Sequence, residues 1–538
     1  MSDAADCEKG ARPGKGHAAF HAPFNPWLIA VVATMATFME VLDTSIANVS
    51  LPHIAGNLGA SINDSTWVLT SYLVANAIVL PASAWLSSVI GRRNYYMLSV
   101  ALFTISSLLC GLAPNLEALV GFRLLQGLAG GGLQPLTQAI LVDTFPPKMR
   151  GMGMAAFGLT VVVAPVIGPT LGGWITDNYE WRWVFLINIP VGVAALWLSS
   201  RYITDPPFLK RRTGNDRWGG DFLGLGLVAV GLASMQMMLD LGEREEWFAS
   251  NLIRTCAALT VICLVGGVYR AFVHRKPMID FRVLRDRNLA LSCVYMAIFG
   301  GVLYGTTALL PLMMQQLLGY TAQLSGLVLS PGGMVIAVLM PLVGWSVGKI
   351  DARWMILFGI VMVALSLEWM AGFSLDVDFA TLVYARMLQG FGLAFIFVPI
   401  NTIAYATVDA DSRNAASSLI SIARNIGGSI GIGYTSTMVA RLAQTFRTHL
   451  TEHVGDTEPA ARAALAAIEQ QLRTVDADPV RNELLARAML SDSVDRQATM
   501  LAYLDQFAFL GAAFLILVPV VLLMRRARTD HPAELAIE

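Results

Sequence analysis

Phe38-Met-Glu-Val-Leu-Asp-Thr-Ser-Ile-Ala-Asn-Val-Ser-Leu-Pro52 closes the first long apolar run of the chain, which begins near Trp27. Glu40 and Asp43 stand inside that run, three residues apart and therefore on one face of a helix. An ionisable side chain at membrane depth costs at least ~2.5–3.5 kcal/mol, and it persists where it faces a cavity, finds a partner or carries a proton. The bland alternative is a carboxyl that snorkels or stays buried as the neutral acid.

Outward from this stretch, the composition fits a chain that lives in lipid. Of 538 residues, 55% are hydrophobic and 14% charged, where a soluble domain carries roughly a quarter charged. The chain reads as an all-α integral membrane protein. Its net charge of −1 says nothing about partners, because charge in such chains is sorted between loops. Nucleic-acid binding has no basic footprint. None of the five cysteines forms a C-x-x-C pair, so buried thiols are expected and neither metal nor cofactor is implied. Residues 1–25 contain no apolar core segment, so the first span is expected to act as an uncleaved insertion signal.

At about 20 apolar residues per span, fourteen spans are expected: 27–49, 66–89, 95–113, 118–143, 152–176, 183–203, 221–241, 251–273, 289–313, 323–347, 354–372, 378–407, 415–441 and 501–524. Basic residues gather in alternate loops: Arg92-Arg93, Lys148 and Arg150, Lys210-Arg211-Arg212, Arg275-Lys276 with Arg282, Arg285 and Arg287, Lys349 and Arg353, and Arg413. Loops 50–65, 114–117, 314–322 and 373–377 carry no Lys or Arg. This alternation predicts both termini in the cytoplasm. An outer loop at 442–500 contains an Ala-rich helical pattern near 458–468 and a second at 481–490; it is either a solvated hairpin over the outer mouth or a docking surface.

The chain repeats itself. Arg123-Leu-Leu-Gln-Gly127 recurs as Arg386-Met-Leu-Gln-Gly390, Arg150 has a counterpart in Arg413, and Pro81-x-x-x-Trp85 returns as Pro341-x-x-x-Trp345. The expected organisation is a tail (1–26), a six-helix bundle (27–203), a linker with two inserted spans (204–288), a second six-helix bundle (289–524) and a tail (525–538). Paired repeats suggest alternating access around a site at the midplane.

Counting inward from the outer surface, Arg123 lies about five residues deep, or roughly 7–8 Å. Asp43 lies at matching depth, so the two are expected to pair. A bridge that breaks on protonation couples a proton to helix movement, because a nearby cation lowers a carboxylate pKa and burial raises it. The alternative is a static pair stitching two helices together. In the second half, Glu368 and Arg386 share a depth near the outer surface, and Arg424 lies deep in the thirteenth span. Ala164-Pro-Val-Ile-Gly-Pro-Thr-Leu-Gly-Gly173 presents small residues and kinking prolines for a moving interface. Gly127, Gly130, Gly131 and Gly132 make a similar surface. Met35, Phe38, Met39, Met235, Met237 and Met238 are candidates for a yielding, greasy substrate pocket.

Leu42-Asp-Thr-Ser-Ile-Ala-Asn-Val-Ser-Leu-Pro52 resembles the first-span motif of the fourteen-span drug:proton antiporters of the major facilitator superfamily, the EmrB/QacA group. Arg123-Leu-Leu-Gln126-Gly127 is similar to the superfamily's fourth-span motif, and Gly168-Pro-Thr-Leu-Gly-Gly173 to its antiporter motif, so Pro165, Gly168, Pro169, Gly172 and Gly173 take that role by resemblance. Similar too are Trp181-Arg-Trp-Val-Phe-Leu-Ile-Asn-Ile-Pro190, Asp221-x-x-Gly224, Leu239-Asp-Leu-Gly-Glu-Arg-Glu-Glu-Trp-Phe248 and Arg424-Asn-Ile-Gly-Gly-Ser-Ile-Gly431. The resemblance implies the major facilitator fold, an inner-membrane location in a bacterium, and the antiporter's proton site at Asp43, Glu40 and Arg123. Its Gram-negative EmrB branch also implies a periplasmic membrane-fusion adaptor and an outer-membrane channel. One departure stands out. The loop between spans two and three usually reads like G-x-L-a-D-r-x-G-r-r, and here Ala84 and Ser88 replace its first Gly and its Asp, leaving Gly91-Arg92-Arg93. Asp143 is the candidate replacement acid, facing Arg92 or Arg150.

No G-x-x-x-x-G-K-[ST] phosphate loop is present, so an ion gradient is the expected energy source. Proton-coupled export of amphipathic compounds across the lipid bilayer is the leading expectation. Uptake symport of a defined metabolite is the alternative, with a membrane enzyme and a transport-derived sensor behind it. No His cluster, Cys–His arrangement or catalytic carboxylate pair supports an enzyme.

Overall fold

The computed structural model describes residues 24–146, 149–205, 220–274, 278–347, 349–409, 412–452, 454, 459–473 and 478–524. Lys148, the basic runs at 210–212 and 275–276, and nearly all of both tails, on which part of the expected orientation rests, lie outside the described residues. The described chain is helical: α1 (Pro26–Leu58), α2 (Ile62–Ser65), α3 (Trp67–Val79), α4 (Ser83–Ile90), α5 (Arg92–Gly111), α6 (Leu116–Gly130), α7 (Leu133–Thr144), α8 (Arg150–Asn178), α9 (Trp183–Leu186) and α10 (Asn188–Tyr202) come first. There follow α11 (Phe222–Leu241) and α12 (Asn251–Val273), then α13 (Arg287–Leu317), α14 (Ala322–Ser346), α15 (Ala352–Ala371), α16 (Phe379–Ala406), α17 (Arg413–Glu452), α18 (Pro459–Leu472), α19 (Pro479–Leu515) and α20 (Leu517–Leu522).

Twelve candidate spans among the described residues are long and apolar enough to cross a membrane. Two of the fourteen expected stretches, 118–143 and 415–441, are not among them, and each has a local cause. The first is broken at Gly131-Gly132 into α6 and α7, each too short to cross alone. Glycine weakens a helix, and here its bareness is used: a Cβ on Gly132 would sit 2.3 Å from the Tyr95 hydroxyl, and one on Gly131 2.7 Å from the Asn76 carbonyl oxygen. The second stretch lies inside α17, which is long but studded with Ser, Gly, Asn and Arg424.

α17 runs well past the expected 441, and its 40 residues span about 60 Å, roughly twice a bilayer's hydrocarbon core. Beyond it, α18 forms over the Ala-rich run and α19 begins just before the second helical pattern. Arg447 and Asp495 tie α17 to α19 at 2.6 Å.

Prolines interrupt hydrogen-bond ladders where neighbours make good the loss. Pro169 has no N–H to offer the Pro165 carbonyl one turn back; the Ser45 hydroxyl of α1 donates to that oxygen instead, at 3.0 Å. α8 packs on α1 and on α14, α17 on α13 and α19, and α3 on α6 and α11. The pair α11–α12 is fastened at one end by Asp221, which caps α11 through the Gly224 N–H and accepts from Arg270 Nε and Nη2 at 3.0 and 2.9 Å.

Candidate functional site

Asp43 and Arg123 meet. Arg123 Nη1 lies 2.5 Å from Asp43 Oδ2, and both side chains are wholly buried. The carboxylate also accepts from Gln126 Nε2 at 3.1 Å and from Asn188 Nδ2 at 2.7 Å. Arg123 donates through Nε to the Val68 carbonyl and through Nη1 to Gln126, and its guanidinium rests 4.3 Å from the Tyr72 ring centroid. Four helices thus converge on one ion pair: α1, α3, α6 and α10. A buried pair of this kind is held by its extra hydrogen bonds, since desolvation cancels much of the Coulomb attraction.

Close approach of the helices depends on Gly127. A Cβ there would fall 2.3 Å from the Tyr72 carbonyl oxygen and 2.8 Å from Ala75 Cβ. G127A is therefore expected to destabilise the purified protein by about 1–3 kcal/mol through overpacking, read as earlier thermal unfolding in detergent. Gly168 plays the matching part between α1 and α8, where a Cβ would meet Ser45 Oγ at 2.3 Å; Gly172 faces the Ile46 backbone. Ser45 is two residues from Asp43, so the proline–glycine stretch of α8 (Pro165, Gly168, Pro169, Gly172) grips the helix that carries the acid.

Glu40 faces a different group. Its carboxylate accepts from Gln134 Nε2 at 2.8 Å, Tyr72 Oη at 3.2 Å and Asn76 Nδ2 at 3.4 Å. Gln134 turns its own oxygen to Arg424 Nη2. The two sides of one amide therefore connect a carboxylate on α1 with a guanidinium on α17.

A third cluster sits at the basic end of the bundle. Gly91 turns the chain from α4 into α5 with φ +91°, a conformation that disfavours side chains. This delivers Arg92, whose Nη1 lies 2.6 Å from Asp143 Oδ2. Asp143 accepts from Arg413 as well, and Arg92 Nη2 donates to Asn414 Oδ1 at 2.8 Å. Of the two cations offered as alternatives for Asp143, Arg92 is the one that pairs with it and Arg150 is not; Arg413 of the distant α17 is the other partner. Arg93 turns the other way, its N–H donating to Asp205 and its guanidinium to the Ser200 carbonyl.

The Major Facilitator Superfamily profile matches residues 33–432. The chain belongs to the major facilitator superfamily. Within it, the chain belongs with the EmrB-like exporters. It is 35% identical over 491 residues to the fatty acid resistance protein FarB of Neisseria gonorrhoeae, covering 91% of this chain and 94% of that one. It is 34% identical over 497 residues to the multidrug export protein EmrB of Escherichia coli K12, covering 92% and 94%. Among solved structures, the human organic anion transporter MFSD10 superposes with a TM-score of 0.58 at 11% identity, covering 93% of this chain and all of that one, a likeness of fold alone.

The repeat within this chain explains what its second half holds. Gln138 Nε2 donates to Asn401 Oδ1 at 2.6 Å, and these residues are 263 apart, the separation of Arg123 from Arg386. Two copies of one position that touch lie on the axis relating the copies. At the same separation Arg386 pairs with Gln389 as Arg123 does with Gln126, and Thr306 stands where Asp43 stands, accepting from Gln389 Nε2 at 3.1 Å. The copy keeps the cation and the amide and lacks the acid.

Shared depth does not bring Glu368 and Arg386 together: Glu368 is exposed, while Arg386 is buried against Gln389 and Thr307. Ser366 of α15 donates to the Ala385 carbonyl of α16, and a residue two positions on points about 200° away. The greasy side chains do not line one pocket either. Met35 and Met39 pack in one cluster with Tyr72 and Tyr96, Phe38 in another with Val41 and Ile46, and Met235 in a third against Leu419. Met238 is half-buried outside all three.

Sequence reasoning missed Asn188, Gln134, Tyr72 and Asn76. Asn188 and Gln134 each left a signal: an amide inside an apolar span, beside Pro190 and Pro135 respectively.

Proposed function

We propose that this chain is a proton-coupled antiporter that exports hydrophobic or amphipathic compounds across a bacterial inner membrane, with fourteen crossings and both termini in the cytoplasm. The observation that carries this reading is the fully buried Asp43–Arg123 pair and its ring of neutral amides. A proton reaching Asp43 cancels its charge and leaves Arg123 without a counter-ion in a place where a lone charge is costly. The pair then separates, α1 shifts against α6 and α10, and α8 follows through Ser45. The bundles 27–203 and 289–524 rock against each other, and Asp143 with Arg92 and Arg413 closes the cytoplasmic side. Gly91 and Arg93 set the turn that presents Arg92.

The kind of cargo is supported by relatives named for multidrug export and fatty acid resistance. The projecting helices across 442–500 are the surface offered to a periplasmic membrane-fusion adaptor, which joins the pump to an outer-membrane channel. Inverted vesicles carrying the protein are expected to accumulate a panel of lipophilic dyes when acidified inside, and to lose them when a protonophore is added. Accumulation that continues with neither a pH nor a voltage difference across the membrane overturns the reading.

A further inference from the structure

Leu239-Asp-Leu-Gly-Glu-Arg-Glu-Glu-Trp-Phe248 takes no part in the three clusters described above. It closes α11, one of the two helices inserted between the bundles. α11 lies against α3 of the first bundle and α17 of the second. Near the Asp143 clasp, Phe222 at its start meets Trp85 of α4 edge to face, with ring centroids 5.5 Å apart. In mid-course Val228 and Leu232 share an apolar cluster with Ala77 of α3 and with Leu419 and Ile426 of α17.

The two ends of this assembly differ. At the clasp end the bundles touch directly: Ser418 Oγ of α17 donates to the Leu80 carbonyl at 2.9 Å and lies 3.4 Å from Ser83 Oγ. At the far end α3 and α17 both bond to α11 and the turn that follows it. Arg244 donates to Thr66 Oγ1 at the start of α3, at 2.7 Å, and Thr70 hydrogen-bonds Asp240. On the other side Ser429 Oγ donates to Gln236 Oε1 at 2.6 Å, and Trp247 Nε1 to Thr437 Oγ1 at 3.1 Å. Gln236 Nε2 in turn donates to Asp240 at 2.9 Å, so the two sets of bonds meet within α11. The set that reaches α17 depends on a distorted turn. Glu246 and Trp247 have φ of +54° and +52°, successive non-glycine residues in the left-handed region, and that turn aims the indole at Thr437. Release of Trp247 relaxes the turn, so the bonds to α17 are the ones that give way.

A packed helix keeps its neighbours' axes about 8–10 Å from its own, so α3 and α17 cannot close on each other at the far end while α11 is seated between them. We propose that α11 is a wedge: it holds the far ends of α3 and α17 apart while the Asp143 clasp is shut, and it parts from α17, staying with α3, when the clasp opens and those ends come together. The inference rests on the antiporter reading, in which the bundles rock, and gives the inserted pair a task in that cycle.

The test fastens the wedge to α17. A Cβ on Gly433 would lie 3.7 Å from Leu239 Cβ, within the span of a disulfide, so L239C/G433C can be bridged by mild oxidation. The full chain in liposomes with an imposed pH gradient is expected to lose lipophilic-dye transport at least tenfold when oxidised, relative to wild type treated alike, and to regain it when dithiothreitol opens the bridge. Transport that stays within twofold while the bridge is confirmed by mass spectrometry overturns the wedge and leaves the exporter reading standing. Should the bridge not form, W247F/S429A decides: it removes both donors between α11 and α17 with little change of volume. Cysteines at positions 83 and 418 are then expected to cross-link at least fivefold more slowly than in the parent, because the clasp stays shut for less of the time; an unchanged rate overturns the wedge. Wild-type vesicles that move none of the dyes overturn both readings.

Discussion

D43N is expected to abolish gradient-driven transport, by at least about a hundredfold, the factor that ~3 kcal/mol is worth. Asn copies the shape of Asp and can accept from either Gln126 or Asn188, so the packing of α1 survives. What it cannot do is carry a negative charge or exchange a proton. Arg123, wholly buried beside it, is left as an unmatched cation, and removal of one partner from a buried pair costs about 3–5 kcal/mol. The informative companion is D43N/R123Q. With both charges gone, the desolvation penalty goes too, and thermal stability is expected to recover most of what D43N lost. If the pair serves only to fasten two helices, transport recovers with stability. If it is the proton site, transport stays absent in a stable protein, and proton-driven uptake of a dye alongside a melting curve separates the two.

The second large effect belongs to Asp143. One carboxylate, with its side chain 2% exposed, serves Arg92 of one half of the chain and Arg413 of the other. D143N leaves two guanidiniums facing a neutral amide, so attraction between the halves becomes repulsion. A loss of about 3–5 kcal/mol at this end shifts an open–closed equilibrium by at least about a hundredfold. The closed form can be trapped nearby, because Ser83 Oγ and Ser418 Oγ are 3.4 Å apart. Cysteines placed at both positions are expected to cross-link quickly in the parent protein and at least tenfold more slowly with D143N, with transport lost in parallel. An unchanged cross-linking rate assigns closure to other contacts.

How much of this was legible in the sequence follows from the kind of information each feature needs. The Asp43–Arg123 pair could be found by counting residues from the outer surface, because two charges in lipid have few places to go and depth alone brought them together. The repeat was legible for a similar reason, since a copied motif is preserved as a string. The failures share a cause as well. Depth gives height within the membrane and no azimuth, so Glu368 and Arg386 matched on paper while α15 turned the acid outward. Likewise Met235 and Met39 are both greasy and mid-membrane, yet they belong to different helix contacts. Arg413 reaching Asp143 and Arg424 reaching Gln134 required knowing that α17 lies against α7, which no local pattern encodes. The glycine break between α6 and α7 was visible as Gly130-Gly131-Gly132 but was read as a packing surface; the hydroxyl of Tyr95 and the carbonyl of Asn76 that occupy it come from elsewhere in the chain.

α17 begins at the Arg413 that clasps Asp143, passes Arg424 in mid-course and continues without interruption to Glu452. A continuous helix is stiff, so this element behaves as a lever. A tilt of 10° about its inner end sweeps its far tip through about 10 Å, given its length of about 60 Å. Whatever grips the tip therefore registers which way the core is facing, and, by the same mechanics, a load applied there pushes back on the clasp at the other end.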